Sequence, residues 1–358
     1  MGAGPDNHEE TVRAAGRRVT EAPSKNWKLL ERRAIQPGRG RIVCVANQKG
    51  GVAKTTTSVN LAAGLALRGH RVLVVDVDPQ SNAATGLGID HRTVERSTYD
   101  LLLGGASLDE VVLPTAIKNL ECAPASLDLA GAEVELVSTM ARERRLGEAL
   151  AGATERYELI FLDCPPSLGL LTVNALAAAQ DLIVPVQCEY YALEGLGQLL
   201  GNAERVRRSL NADLRIAGLL LTMYDARTKL SSQVENDVRS HFGDLVFATR
   251  IPRSVRLSEA PSFGESVLTL DPSSRGAVAY RLLAAEVEGL YGLQVHKPPA
   301  PPPPPPPTAA PPTVVASRPS TPGPGGRGYG VKTARPDLPD TAWPRGEPWT
   351  APVGQEST

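Results

Sequence analysis

The stretch RIVCVANQKGGVAKTTTSVNLAAGL, residues 41–65, runs from a short apolar segment through a glycine-containing loop into a helix-like segment. A strand, such a loop and a Lys-Thr pair at a helix start form an arrangement that cradles phosphate groups, because loop amides and the helix N-terminus point at the anion. In this arrangement we expect Lys54 to neutralise the terminal phosphates and Thr55 to offer its hydroxyl to Mg²⁺. The sequence therefore predicts a phosphate-binding loop here.

The loop departs from the ordinary phosphate-loop pattern. Gln48 and Ala53 stand where the pattern GxxxxGK[ST] has glycines. We expect Ala53 to be tolerated because its side chain is small and a helix start allows it a negative φ. The dinucleotide-binding alternative needs GxGxxG without Lys-Thr, so it fits this stretch poorly. A further lysine, Lys49, has no place in the ordinary pattern and needs its own explanation.

Apolar strand-like segments alternate with helix-like segments through the middle of the chain. The strand-like segments are residues 41–46, 71–76, 120–123, 158–163, 181–186 and 215–223. Val, Ile and Leu strands separated by helices are typical of a parallel sheet covered on both faces. The sequence therefore predicts an α/β fold, with a mostly parallel twisted sheet and helices on both faces. In such folds, ligands bind at the carboxyl ends of the strands.

Composition divides the chain of 358 residues into three parts. Residues 1–40 carry eight basic and five acidic residues without a sustained apolar period, and we expect a polar, flexible N-terminal extension. Residues 41–295 carry the apolar segments and no tryptophan, so we expect a folded domain with an aliphatic core. Residues 296–358 hold 19 of the 31 prolines and are predicted to be a disordered tail, because proline lacks an amide donor.

Charge and cysteine usage narrow the class of protein. The formal net charge of −1 argues against a strongly basic protein, so any nucleic-acid surface must be built locally. No apolar run approaches the roughly 20 residues of a membrane helix, and the charged N-terminus lacks the apolar segment of a signal peptide. We therefore expect a soluble, intracellular protein with reduced thiols. The widely spaced cysteines are Cys44, Cys122, Cys164 and Cys188.

The loop KGGVAKTTT resembles the deviant Walker A motif, K-G-G-x-x-K-T, of the ParA/MinD class of ATPases. In that class the early lysine, here Lys49, reaches across a nucleotide-sandwich dimer to the phosphates of the partner subunit. The resemblance implies a P-loop NTPase fold, ATP and Mg²⁺ as cofactors, and a homodimer with ATP. A cation supplied in this way stabilises the charge that develops during phosphoryl transfer, which would tie hydrolysis to dimerisation. The nucleotide-binding residues implied in the loop are Lys49, Gly50, Gly51, Val52, Ala53, Lys54, Thr55 and Thr56.

Two further segments resemble the switches of this class. VVDVDPQSNAATGLGI, residues 74–89, resembles switch I of ParA proteins, and LIFLDCPPSLG, residues 159–169, resembles Walker B with switch II. The resemblance implies that Asp78 orients the attacking water, so that the catalytic residues are Asp78 and Lys49. It also implies metal-site roles for Thr55, Asp76 and Asp163. From the residues alone, two aspartates ending a strand before a proline can equally form a structural turn.

Later segments resemble the chromosome- and plasmid-partitioning branch. They are VPVQCEYYALEGLGQL, LTMYDARTKLS and IPRSVRLSEAPSFGESV, and the resemblance covers about residues 41–291. It implies that Pro252 borders the adenine. Ser254 stands in place of the family's usual Asn, so the amide contact to the base is either missing or replaced by a hydroxyl. The function implied is a DNA-segregation ATPase, cytoplasmic and nucleoid-associated, that binds nonspecific double-stranded DNA in its ATP state. A ParB-type centromere-binding partner would stimulate its weak ATP hydrolysis.

DNA binding without sequence preference requires phosphate contacts and little base readout. The dense basic positions of the folded part, and thus the predicted DNA-binding residues, are Arg227, Arg250, Arg253 and Arg256. No aromatic residues are interleaved with them, so stacking on single strands is not indicated. These arginines could instead form a solvated face or pair with Glu259 and Glu265.

Two alternatives within the superfamily are weighed. A MinD-like membrane-cycling regulator needs a C-terminal amphipathic helix, whereas the end of this sequence is proline-rich. An iron–sulfur carrier needs two ligand cysteines per subunit near an interface. Cys164 follows the Walker B segment, and from the sequence Cys122 is the only candidate for the second ligand.

Overall fold

The computed structural model describes residues 40–189 and 192–294. The predictions for the N-terminal extension and for the proline-rich tail therefore lie outside the described residues, apart from Gly40.

The described residues form a seven-stranded sheet in the order β3-β4-β2-β5-β1-β6-β7. The strands are β1 Arg41–Val45, β2 Val72–Asp76, β3 Leu113–Pro114, β4 Leu120–Ala123, β5 Leu159–Asp163, β6 Asp181–Gln187 and β7 Arg215–Thr222. Neighbouring strands are parallel except for β3, which pairs antiparallel with β4. The predicted α/β fold with a mostly parallel sheet is confirmed. The two-residue edge strand β3 was not predicted, because it is too short to show a period and contains a proline.

Helices connect the parallel strands. Within the described residues they are α1 Lys54–Leu67, α2 Asn82–Gly86, α3 Thr98–Leu103, α4 Leu108–Val111, α5 Leu129–Glu135, α6 Arg145–Ala149, α7 Ala153–Arg156, α8 Leu170–Ala178, α9 Ala192–Ser209, α10 Lys229–Phe242, α11 Val255–Glu259, α12 Val267–Leu270 and α13 Arg275–Tyr291. Short 3₁₀ turns follow α5, at Leu136–Ser138, and α11, at Ala260–Phe263. None of the described helices is long and apolar enough to cross a membrane.

The core consists of two apolar layers, one on each face of the sheet. Alternate residues of a strand point to opposite faces, so Cys44 joins one layer while Val43 and Val45 join the other. The central strands β2 and β5 are buried along their whole length, as expected for a sheet covered on both sides. The core is mainly aliphatic, with Tyr280 and Phe161 the largest fully buried side chains.

Helices α1 and α13 pack closely against each other. A Cβ on Gly64 of α1 would lie 3.0 Å from the Ala284 Cβ of α13, so the small residues allow the two backbones to approach. The hydroxyl of Tyr280 lies 3.2 Å from Thr57 Oγ1, which gives the buried phenol a polar partner. Helix α13 therefore supports the first turns of α1, which follow the glycine-containing loop.

A charged cluster joins the opposite end of α1 to the sheet and to α13. The buried His70 lies between two carboxylates, with Nδ1 3.0 Å from Glu158 Oε1 and Nε2 2.7 Å from Glu288 Oε1. Arg68 also donates to Glu288. Burial would raise the pKa of Glu288, but the hydrogen bonds from Arg68 and His70 outweigh it and hold that pKa below its ordinary value. The ionised Glu288 carboxylate therefore fastens the end of α1 to α13.

We expect Glu288→Gln to lower the free energy of unfolding at pH 7 by about 1–3 kcal/mol, because it removes the charged acceptor of the buried His70 and of the partly exposed Arg68. A carboxylate whose pKa is lowered by folding stabilises the fold at pH values above the pKa of the unfolded chain, about 4.3. This stabilisation is lost as the pH falls through the lower pKa of the folded state. Urea unfolding at pH 7 and below pH 4 measures the difference, which should shrink at the lower pH. The control is Glu155→Gln, an exposed position. Equal stabilities of the two variants at pH 7 would contradict the role of Glu288.

Candidate functional site

The loop between β1 and α1 has an unusual backbone. Gly51 has φ of 70°, and Ala53 has φ of 70° and ψ of 37°, which is the left-handed region. The expectation of a negative φ at Ala53 is wrong. Ala53 keeps the conformation that favours glycine, at a cost of roughly 1–2 kcal/mol for a residue with a Cβ. The Ala53 carbonyl accepts hydrogen bonds from the Thr57 amide, 3.0 Å, and the Thr57 hydroxyl, 2.7 Å, which hold the turn in place.

Neighbouring strands hold both ends of this loop. Asn47 donates from Nδ2 to the Pro185 carbonyl of β6 at 2.7 Å, and its Oδ1 accepts from the Lys49 amide at 3.0 Å. The Val52 carbonyl accepts from Thr222 Oγ1 of β7 at 3.1 Å. Val52 itself is buried, so of this residue only the backbone is available to a ligand. Asn47 and Thr222 were missed by the sequence analysis, because their contacts depend on strands far away in the chain.

Lys54 begins α1 and is almost fully buried. Its ammonium donates to the Lys49 carbonyl at 3.3 Å. Burial lowers the pKa of Lys54, and the nearby carboxylates of Asp163 and Asp78 oppose that shift. A desolvated ammonium that donates a hydrogen bond to a neutral carbonyl is well suited to pair with a phosphate oxygen.

Asp163, the last residue of β5, receives two hydroxyl groups from α1. Thr55 Oγ1 donates to one carboxylate oxygen at 2.7 Å, and Ser58 Oγ donates to the other at 2.7 Å. The carboxyl group is fully buried, and this burial raises its pKa, against the two hydrogen bonds. The structure thus brings together Thr55 and Asp163, two of the predicted metal-site residues. Ser58 was missed, although its position three residues after Thr55 on a helix was a usable signal.

Asp76, the last residue of β2, lies beside Asp163 in the sheet. One of its oxygens accepts from the amides of Ala83 and Ala84 at 2.9 and 3.1 Å, and the other from the Asp78 amide at 3.1 Å. The group is fully buried, and burial with the neighbouring Asp163 raises its pKa. Asp76 therefore holds the turn that leads into α2, which agrees with the alternative that these aspartates form a structural turn. It also lies next to Asp163 of the predicted metal site.

Asp78 faces a cleft of about 450 Å³, a volume in the range of small-ligand sites. One Asp78 oxygen accepts from the Gln80 amide at 3.1 Å, and within the described residues no hydrogen bond is found for the other. Of the predicted residues, Gly50, Gly51, Ala53, Lys54, Thr55, Thr56 and Asp78 line the cleft. Its other walls include Asn60, Pro166, Met223, Pro261 and Glu265, which the sequence analysis did not single out.

Asn60 joins two walls of this cleft. Its Nδ2 donates to the Thr56 carbonyl at 2.8 Å, and its Oδ1 accepts from Ser266 Oγ and from the Val267 amide, both at 2.9 Å. Every polar group of the side chain is thus engaged, and helix α1 is fixed to the segment that contains Pro261 and Glu265.

Lys49 does not line the cleft. Its side chain is 36% exposed, and its ammonium lies 3.4 Å from Glu189 Oε2. An outward ammonium held by a half-exposed carboxylate is a weak pair, since such surface pairs contribute roughly 0–1 kcal/mol. Lys49 is thus available to a group outside its own subunit, and its catalytic role stays a prediction.

Pro252 and Ser254 lie beside this cleft but are not among its lining residues. Pro252 pairs with Tyr224, which follows the cleft residue Met223, and Ser254 precedes α11. Their predicted contacts with adenine stay predictions.

Three of the four predicted DNA-binding arginines have acidic partners. Arg227 pairs with Asp225 at 2.7 Å, Arg250 with Glu235 at 2.8 Å, and Arg256 with Glu259 at 3.0 Å. The hydrogen bonds from Arg227, with Arg253 nearby, hold the pKa of Asp225 well below its ordinary value. Arg253 itself is exposed and makes no ion pair in the part of the chain that the structure describes. The pairing with Glu259 that was weighed as an alternative occurs at Arg256, whereas Glu265 pairs with none of the four.

The cysteine that lies next to Cys164 is not the one expected from the sequence. Cys44 Sγ lies 3.4 Å from Cys164 Sγ, so the neighbour of Cys164 is Cys44 and the choice of Cys122 is wrong. The register of β1 and β5 causes this, because Cys44 pairs with Leu162, two residues before Cys164. All four cysteines are buried and unlinked. Among the described residues no group of three or more His, Cys, Asp or Glu is arranged to hold a metal ion.

Comparisons with known proteins agree with this geometry. Residues 40–216 match a family model described as an AAA domain. The chain is 55% identical over 248 residues to the sporulation initiation inhibitor protein Soj of Bacillus subtilis, covering 69% of this chain and 98% of Soj. It is 50% identical over 248 residues to the chromosome partitioning protein ParA of Myxococcus xanthus, covering 69% and 88%.

A solved structure shares the fold. Cobyrinic acid a,c-diamide synthase from Mycobacterium smegmatis, crystallised with an ATP analog and magnesium, is 41% identical, with a TM-score of 0.61 over 69% of this chain and 93% of that one. The fold, the phosphate-type loop and the identity to Soj and ParA over most of their length agree with one another. The chain belongs to the Soj/ParA family of chromosome partitioning ATPases.

Proposed function

We propose that this protein is a DNA-segregation ATPase that dimerises with ATP, binds double-stranded DNA without sequence preference in that state, and hydrolyses ATP when a ParB-type centromere-binding partner stimulates it. The observation that carries the proposal is the position of Lys54 and Thr55, which line the cleft, while Thr55 and Ser58 donate to the buried carboxylate of Asp163. This location, at the carboxyl ends of parallel strands, is where such folds bind their ligands. The protein would act in the cytoplasm, associated with the nucleoid.

The residues of the cleft fit a magnesium-bound ATP. Thr55 and Asp163 offer oxygen ligands of the kind that Mg²⁺ prefers, and the ion usually takes few protein ligands and keeps several waters. Asp76, beside Asp163, adds negative charge behind them. When bound, Mg²⁺ would supply positive charge that neutralises the phosphates. The loop amides between Gly50 and Thr56 and the ammonium of Lys54 would hold the phosphates.

Asp78 is suited to orient a water molecule. Its backbone is fixed through Asp76, and one of its oxygens holds the Gln80 amide, so the carboxylate is positioned. The second oxygen is free to accept a hydrogen bond from water within the cleft. A positioned carboxylate can act in this way without contact with the phosphate-binding groups.

Lys49 would complete the site of a second subunit. Its side chain is 36% exposed and, among the described residues, its one ion pair is with Glu189, whereas Lys54 is buried. A cation that reaches the phosphates of the partner would stabilise the transition state only in the dimer. Hydrolysis would then depend on dimerisation.

The first test separates the two lysines. Lys54→Ala should weaken ATP binding about 10- to 100-fold, because a charge-assisted partner of the phosphates is lost. Lys49→Ala should keep ATP affinity within a few fold and lower hydrolysis about 100-fold or more, with loss of the dimer. Fluorescent-nucleotide titration and light scattering measure the two effects, with the exposed Lys118→Ala as control. Equal, severe loss of ATP binding in both variants would refute this division of roles.

A second test concerns Asp78. Asp78→Ala should bind ATP and Mg²⁺ normally, slow hydrolysis about 100-fold or more, and accumulate as an ATP-bound dimer, because only water positioning is removed. Asp78→Asn keeps the shape of the side chain but removes its charge, and it should behave like Asp78→Ala. Turnover is measured beside mass by light scattering. Normal hydrolysis by either variant would remove Asp78 from the mechanism.

The surroundings of three of the predicted DNA-binding arginines support an order of importance among them. Arg253 is exposed without an ion pair among the described residues, so its charge is free for a DNA phosphate. Arg227 is 89% exposed but shares its charge with Asp225, and the Arg250 guanidinium lies over the Tyr224 ring, 4.9 Å from its centre, as well as pairing with Glu235. Because a dimer presents each arginine twice, a weak surface on one subunit would become effective only with ATP.

The third test follows this ranking. Arg253→Ala should lower the affinity about equally for duplexes of unrelated sequence. The slope of log affinity against log salt concentration should become less steep by about 0.9 for each lost phosphate contact. Arg227→Ala should have a smaller effect, and Asp225→Asn should raise affinity because it releases Arg227. Fluorescence anisotropy at several salt concentrations, with ATP and with ADP, measures this, and the control is Arg71→Ala, an exposed arginine just before the amino end of β2. Wild-type DNA binding by Arg253→Ala would show that the surface is misplaced.

A further inference from the structure

Two buried thiols lie in contact where β1 and β5 lead to the nucleotide cleft. Cys44 is the fourth residue of β1 and Cys164 is the first residue after β5, and both are 0% exposed. Their sulfur atoms are 3.4 Å apart, close enough for one thiol to donate a weak hydrogen bond to the other. Within the described residues, the other two cysteines make no such contact.

The pair is joined through the backbone to the groups that would hold the nucleotide. Cys44 lies three residues before Asn47, which fixes the start of the phosphate-binding loop, and Cys164 directly follows Asp163. The carboxylate of Asp163 accepts two hydroxyl groups from helix α1, which carries Lys54. A displacement of either cysteine therefore reaches the loop or this carboxylate through a few covalent bonds.

The sheet holds the two cysteines unequally. Strand β1 has a parallel partner on each side, and Cys44 pairs with a residue of both β5 and β6. Cys164 lies beyond the end of β5, and its amide donates to the Val45 carbonyl at 3.4 Å, which is longer than an ordinary amide hydrogen bond. Cys164 is therefore the residue that would move if the two sulfurs were joined.

A disulfide between these residues requires such a movement. Its sulfur atoms are about 2.05 Å apart, and its Cα atoms usually no more than about 6.8 Å. Cys44 pairs in register with Leu162, so Cys164 is offset by two positions along the ladder. Two positions amount to about 6.6 Å along a regular strand, and neighbouring strands are themselves about 4.8 Å apart. Formation of the bond would thus draw Cys164 toward β1 and pull on the adjoining Asp163.

We propose that Cys44 and Cys164 form a site of oxidative modification, at which hydrogen peroxide joins the two sulfurs in a disulfide that weakens nucleotide binding. One sulfur attacks the peroxide, whose O–O bond breaks to give a sulfenic acid and one water molecule. The second sulfur then attacks the first, the S–O bond breaks, and hydroxide leaves as water with the proton of the second thiol. The two thiols lose two electrons and two protons, and the peroxide is reduced to two molecules of water.

The disulfide and its effect have different foundations. The effect on nucleotide binding rests on the proposed ATP site, whereas the disulfide itself rests only on the two sulfurs. Disulfides in proteins that otherwise keep their thiols reduced are usually transient and redox-sensing, which is the role assigned here.

Burial determines which oxidant suits the site. The contact with Cys44 and the desolvation of the group raise the pKa of Cys164, so little of the reactive thiolate is present. Neither sulfur is accessible to a bulky reagent. Hydrogen peroxide is small and uncharged, and we expect it to oxidise the pair more slowly than it would oxidise an exposed thiol.

The first measurement is a count of thiols. The full chain, freed of reductant, is treated with hydrogen peroxide, unfolded and titrated with a thiol reagent. The count should fall from four to two, and peptide mapping should join residues 44 and 164 within one chain. Dithiothreitol should restore all four thiols, which distinguishes a disulfide from the irreversible sulfinic acid.

Matched variants identify the pair. Cys44→Ala should form no disulfide, whereas Cys122→Ala, which removes an equally buried thiol from β4, should still lose two thiols to peroxide. Four thiols remaining in the treated wild type overturn the proposal, and so does a bond that involves Cys122 or Cys188.

The second measurement is nucleotide affinity. The oxidised wild type should bind a fluorescent ATP analogue with Mg²⁺ about tenfold or more weakly than the reduced protein, the loss expected when a charge-assisted contact to a phosphate is misplaced. Dithiothreitol should restore the affinity, and peroxide should leave that of Cys44→Ala unchanged. Because coupling between two sites is reciprocal, the bound analogue should disfavour the disulfide in a glutathione buffer by the same factor.

The two measurements together separate the outcomes. A disulfide between residues 44 and 164 that leaves the affinity unchanged overturns the proposal and leaves the proposed function intact. A reduced wild type that binds no nucleotide contradicts the proposed function and, with it, the effect assigned to the disulfide.

Discussion

The carboxylate of Asp163 is the contact on which the rest of the site depends. It receives the hydroxyls of Thr55 and Ser58, so the end of a central strand is bonded directly to the first turn of helix α1. This bond fixes the orientation of α1 on the sheet and, with it, the position of Lys54 in the loop. The buried Asp76 lies next to Asp163, so both carboxylates need polar partners that the surrounding backbone and hydroxyls provide.

Two strand ends link the loop to more distant parts of the chain. Beyond β5, residues 163–171 pass the loop and reach helix α5 through Glu133. Beyond β7, Thr222 holds the loop at Val52, and the chain continues to Asp225 and the arginines around it. Because the net charge of the chain is nearly zero, the proposed DNA binding would depend on the local arrangement of these arginines rather than on overall charge.

Much of the fold could be predicted from the sequence, because Val, Ile and Leu runs mark strands that are buried on both faces. That Thr55 and Asp163 belong to one site was implied by the resemblance of their segments to the Walker A and Walker B motifs, whereas the hydrogen bond between them was not predicted. Contacts that depend on register could not be predicted in this way, as the proximity of Cys44 and Cys164 shows. The left-handed backbone of Ala53 also escaped prediction, because the path of the whole loop imposes it against the preference of the residue.

Asn60 holds two walls of the cleft together. Because Asn60 of α1 accepts hydrogen bonds from Ser266 Oγ and from the Val267 amide, the α1 wall and the wall that contains Glu265 cannot separate at this point without breaking two hydrogen bonds. Among the described residues, these two walls therefore move together rather than as separate halves of a hinge. With the walls held in this way, a second subunit placed over the cleft, as proposed above, would shield the nucleotide from water.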